Sequence, residues 1–186
     1  VFKIFSYSFL SFIIWNSITS WWLVNSTVFG MFFAIILYSI LMALVFTSYS
    51  LISKKLGSKL GVIFFISSWI VFEKFNLSWE FSWPSLILGN VFSESHQLIQ
   101  WFEFTGTLGG SIWILIVNLL FFKTLNKYLS NKYYLKNLSI GLLSISIPII
   151  ISLCIYEQEI KHEKFIEITI IQPNIDPYNK KYGRRF

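Results

Sequence analysis

The side chains in this 186-residue sequence that could do chemistry are few, and their spacing decides most of them. His96 stands beside Ser93, Glu94 and Ser95, the residue types of a hydrolytic triad. Adjacency in sequence does not make a triad, which is a geometry in space. His162 lies in a charged stretch and is expected to be solvated; two distant histidines without a ligand-spaced partner make no metal site. Cys154 sits in an apolar run, where a thiol packs as a small apolar group, whereas a reactive thiolate needs an electropositive, accessible setting. Gly106-Thr-Leu-Gly-Gly-Ser111 lacks the Lys-Ser/Thr ending and the preceding strand of a phosphate loop; its small residues suit close helix approach instead. Glu73 and Glu103 lie at the ends of apolar runs and could bind an amine or act as a base, with simple exposure at an interface as the plainer expectation. No catalytic residue, metal site or cofactor is assigned.

What remains is a Trp-rich, Pro-broken segment over residues 76–90. Trp79, Trp83 and Trp101 would either line a groove for a lipid acyl chain or form an aromatic belt that fixes depth in a membrane. Each Trp alone favours the belt. The segment as a whole, with Pro84, Gly89 and Glu80, favours a structured loop facing lipid, in which Trp79, Trp83, Pro84 and Glu103 are the candidate substrate-facing residues. Irregular backbone at that depth must be buried by protein or face a water-filled cavity.

The elements that hold such a loop are set by composition. With 55% hydrophobic, 20% aromatic and 13% charged residues and a mean hydropathy of +0.63, the chain is an integral membrane protein. A span needs about 20 mostly apolar residues to cross roughly 30 Å of hydrocarbon. Residues 4–23, 29–52, 60–72, 106–122 and 138–156 provide about five such runs, the last with a kink expected at Pro148. The net charge of +6 gathers at span ends, which membrane orientation explains without a nucleic-acid partner.

Lys3, the Lys54/Lys55/Lys59 group and the Lys123/Lys127/Lys132/Lys136 group fall at alternate ends of successive spans. The positive-inside rule then places the loop 73–105, and everything after 156, on the outer side. The chain begins at Val1 and enters an apolar segment almost at once, as an internal piece of a longer protein would. The sequence thus divides into a helical membrane domain over 1–156 and a charged linker over 157–165. A β-branched run follows at 166–171, expected as the first, buried strand of a soluble domain over 166–186. One strand cannot bury itself, so the rest of that domain must come from further sequence.

Trp69 with Glu73, then Trp83-Pro84, Leu88-Gly89-Asn90, Gln100-Trp101-Phe102-Glu103, Thr105-Gly106, Gly109-Gly110-Ser111 and Asn118 resemble the membrane region of apolipoprotein N-acyltransferases, most closely Bacteroidetes-type members. Ile168-Thr-Ile-Ile-Gln-Pro-Asn-Ile175 and Lys180-Lys181-Tyr182 are similar to the opening of that family's nitrilase-like domain. Ser85 stands where the family commonly has Trp, and Asn76 where it often has Arg.

The resemblance implies an all-α polytopic membrane bundle followed by the start of an α/β nitrilase-like domain, in a bacterial inner membrane with the soluble part on the periplasmic side. It implies ping-pong transfer of an acyl chain from a phospholipid donor, through a Cys thioester, to the α-amine of a diacylglyceryl lipoprotein acceptor. The family's catalytic Glu, Lys and Cys lie downstream of the Gln-Pro-Asn-Ile strand, so none is carried over and this chain alone is expected to be inactive. Gln172, Asn174 and Tyr182 would lie near the start of the catalytic domain. A nonenzymatic scaffold or transporter fragment is the alternative, though a transporter should show ionisable residues inside its spans or a broken-helix repeat. A membrane-linked nitrilase-type amidase is a third reading, disfavoured by the Trp83-Pro84 loop.

Overall fold

The computed structural model describes residues 1–160 and 168–171. Five long helices form where the five apolar runs lie: α1 (Phe2–Ser20), α2 (Val28–Leu56), α3 (Ser58–Asn76), α4 (Phe102–Leu129) and α5 (Leu135–Ile160). By length and composition α2, α4 and α5 are able to cross a membrane, so three spans rather than five meet that criterion among the described residues. Serines, Lys3 and Asn16 dilute the apolar face of α1, while Lys59, Glu73 and Lys74 do the same in α3.

The first three helices form an up-and-down layer. Thr27 starts α2 by accepting a hydrogen bond from the Gly30 amide, 2.9 Å away, which satisfies one orphan N–H of the first turn. Asn16 on α1, fully buried, donates to Ser39 Oγ on α2 at 2.9 Å. That polar tie matters in a bundle whose apolar surfaces gain nothing by leaving lipid for one another. Tyr38, Met42, Phe65, Trp69, Phe72 and Leu115 form the buried core, with aromatic rings meeting mostly edge to face.

Helices α4 and α5 form a second pair. Pro148 lies inside α5 and leaves the Ser144 carbonyl without its helical donor. The Trp113 indole of α4 donates to that carbonyl at 2.7 Å, so the proline that weakens α5 also creates its polar tie to α4. Near its start α4 is broken at Gly106, whose φ of +66° is reachable at little cost only without a Cβ. The turn before the break folds back, so that Gly109 and Gly110 lie against Thr105 and Phe102 of the same helix rather than against a neighbouring one.

There is no strand among the described residues. Ile168–Ile171, expected in a buried strand, has no regular structure, and Ile168, Ile170 and Ile171 are 74%, 85% and 84% exposed. A lone extended segment has no neighbour to take its ladder hydrogen bonds or cover its side chains, so the α/β fold expected from 166 onward has no counterpart in the described residues. The rest of that stretch lies outside them, including Gln172, Asn174 and Tyr182, as does His162.

Candidate functional site

The segment between α3 and α4 is an ordered loop built from three short 3-10 turns, Pro84–Leu86, Leu88–Phe92 and His96–Leu98. Four hydrogen bonds explain its order. The Tyr38 hydroxyl of α2 donates to the Phe81 carbonyl at 2.8 Å, and Asn90 Nδ2 donates to the Pro84 carbonyl at 2.6 Å, closing the loop on itself. The Leu88 amide donates to Glu73 Oε1 at 2.9 Å, and the next amide, Gly89, donates to Ser111 Oγ at 3.0 Å. Two successive backbone donors are thus taken by side chains from α3 and α4. Gly89 is required there, because a Cβ would collide with the Thr107 carbonyl.

Glu73 is the unexpected member. Rather than being exposed at an interface it is only 2% exposed, and its Oε1 also accepts from the Trp69 indole one turn back, at 3.0 Å. A buried carboxylate is costly unless hydrogen bonds compensate it. Here one oxygen takes two donors, while Oε2 has no partner among the described residues. Asn76, 3% exposed and one turn further on, likewise has no partner for its Oδ1 among the described residues.

Beneath the loop lies a cavity of about 390 Å³. Its walls are Phe12 and Trp15 of α1, Phe46 and Tyr49 of α2, Phe65 and Trp69 of α3, and Leu115, Asn118, Leu119 and Phe122 of α4; Leu88 is the loop's contribution. The lining is almost wholly carbon. Asn118 Nδ2 gives one hydrogen to the Ile114 carbonyl at 2.9 Å, and the Trp69 indole is turned to Glu73. A polar headgroup would find little to bond to here, whereas a hydrocarbon chain would lose nothing. The volume lies within the range of small-molecule sites, roughly 300–1,000 Å³.

Of the residues that carry the family resemblance, Trp69, Leu88 and Asn118 line this cavity, whereas the loop residues expected to face substrate lie around it. Trp79 is half-buried against Phe75 and Phe81, with ring centroids 4.9 and 5.4 Å away. Trp83 packs 6.2 Å from Trp22 and lines a smaller cavity of about 240 Å³ with Tyr38 and Glu80. Pro84 is exposed at the first turn of the loop. Glu103 is exposed in the first turn of α4, and Trp101 packs between Phe102 and Trp113. His96 meets Tyr156 ring to ring at 5.7 Å, and Cys154 is exposed on α5. No cluster of three or more His, Cys, Asp or Glu suits a metal among the described residues.

The other cavity residues, such as Phe12, Trp15 and Phe65, went unnoticed in the sequence because a Phe or Trp inside a span reads as ordinary apolar packing. Glu73 offered one signal, its pairing with Trp69 four residues earlier on the same helix face.

Comparison with known proteins converges on one family. The sequence model of the apolipoprotein N-acyltransferase N-terminal domain matches residues 2–120, well over half of the chain. The apolipoprotein N-acyltransferase of Chlorobaculum tepidum is 20% identical over 186 residues, covering 96% of this chain and 34% of its own length. The chain therefore spans about a third of that relative. No solved structure matches. The chain belongs to the apolipoprotein N-acyltransferase N-terminal domain family.

Proposed function

We infer that this chain is the membrane part of an enzyme that moves an acyl chain from a phospholipid to the α-amine of a diacylglyceryl-cysteine at the start of a lipoprotein. The observation that carries the reading is the apolar cavity beneath the ordered loop. Acyl transfer between two lipids requires that hydrocarbon reach the reacting carbonyl without crossing water. A carbon-lined cavity among membrane helices, covered by a loop at their ends, meets that need.

In this reading all five helices lie in a bacterial inner membrane. The loop with Trp79, Trp83, Pro84 and Glu103 lies on the outer, periplasmic side, where the lysine alternation puts it. Gln172, Asn174 and Tyr182 would open the nitrilase-like domain. The cavity holds one acyl chain, while the thioester chemistry is left to that domain. A transporter reading gains little from Glu73, because its engaged oxygen faces the loop amide and an indole rather than a conduit.

The test is transfer by the full-length protein that carries these residues. Purified and given a phospholipid with labelled acyl chains and a synthetic diacylglyceryl-cysteine peptide, it is expected to add one acyl group to the peptide amine, read by mass spectrometry. A full-length protein that leaves the peptide amine free contradicts the reading.

A further inference from the structure

Glu73 Oε1 is shared by two groups that both border the apolar cavity: the indole of the wall residue Trp69, at 3.0 Å, and the amide of the loop residue Leu88, at 2.9 Å. One buried oxygen atom therefore sets the distance between wall and cover. The second pin, the Gly89 amide on Ser111 Oγ at 3.0 Å, fixes the next residue to α4, and the Thr107 carbonyl against Gly89 leaves the loop no room to settle deeper. The loop can hardly move at Leu88 unless the Glu73 bond opens.

We propose that Glu73 is a positioning residue, which shapes the acyl-chain cavity by accepting hydrogen bonds from its wall and its cover, and does so as an acceptor rather than as a charge. Neither donor it holds is ionised: one is an indole N–H and the other a backbone amide. A carboxylate serving as a base or as a site for an ammonium group would need its charge. An acceptor in this geometry needs only the oxygen, which an amide side chain also supplies.

The variants Glu73→Gln and Glu73→Ala separate the two roles in the full-length protein. Hydrogen exchange reads the clamp directly: the amides of residues 86–92 are expected to exchange roughly tenfold faster in Glu73→Ala and within about twofold of wild type in Glu73→Gln. In the acyl-transfer assay the KM for phospholipid is expected to rise roughly tenfold in Glu73→Ala, with kcat changed less, and to be rescued by Glu73→Gln. Should Glu73→Ala fail to fold, Ser111→Ala removes the neighbouring pin and is expected to speed exchange at Gly89 severalfold.

Unchanged loop exchange in Glu73→Ala, or in Ser111→Ala when that variant stands in for it, overturns the proposal. So does a Glu73→Gln protein as impaired as Glu73→Ala. The kinetic arm rests on the acyl-transfer reading, whereas the exchange arm does not. A wild-type protein that transfers no acyl chain would sink that reading and leave exchange to decide the role of Glu73.

Discussion

The loop leaves α3 past Glu73 and joins α4 just before Glu103, and these two glutamates live in opposite surroundings. Glu73 is buried and holds an indole and a loop amide on one oxygen. Glu103 is exposed in the first turn of α4, where its charge lies near the positive end of the helix dipole. The difference follows from what each end of the loop must do. At α3 the loop turns back over the bundle and brings the Leu88 amide onto Glu73, so that end needs an acceptor. At α4 the acceptor for the next amide, Gly89, is Ser111, further along the helix, so that contact does not call Glu103 inward.

Substitutions can break that contrast, and the largest effect is expected from Glu73→Ala. It leaves the Trp69 indole and the Leu88 amide buried without an acceptor, which should cost roughly 2–4 kcal/mol in thermal unfolding in detergent. Gly89→Ala comes next. The added methyl meets the Thr107 carbonyl and should cost roughly 1–3 kcal/mol, with the loop displaced from α4. Ser111→Ala removes one acceptor and should cost about 1 kcal/mol. Glu103→Gln should stay within roughly 0.5 kcal/mol, as a lost exposed dipole interaction does. A Glu103→Gln protein as unstable as Glu73→Ala would erase the distinction.

Much of the frame was legible in sequence, because apolar runs of span length have few alternatives to helix. The Trp-rich segment read as a structured loop, since Pro84 and the polar residues around it cannot continue a span. Other features were hidden for physical reasons. The burial of Glu73 depends on where residue 88 arrives, fifteen positions later, and no local pattern carries that distance. The cavity arises where helices fail to touch, which a one-dimensional pattern does not record. The partner of Pro148 was equally remote: the kink residue is plain in sequence, but the Trp113 indole that satisfies the freed carbonyl comes from another helix. Of the strand expected over 166–171, the described residues Ile168–Ile171 have no regular structure: their β-branched composition is real, yet strand structure belongs to a sheet rather than to a segment.

That the cavity takes an acyl chain is tested most directly by photo-crosslinking. The protein is held in detergent with one equivalent of a phospholipid carrying a diazirine near the end of its acyl chain, and the labelled residues are mapped by mass spectrometry. Label concentrated on cavity residues such as Phe12, Trp15, Phe65 and Leu115, and displaced by unlabelled phospholipid, is the predicted result. Label confined to outward-facing residues such as Phe32 and Ile147, with the cavity residues unmarked, would contradict it.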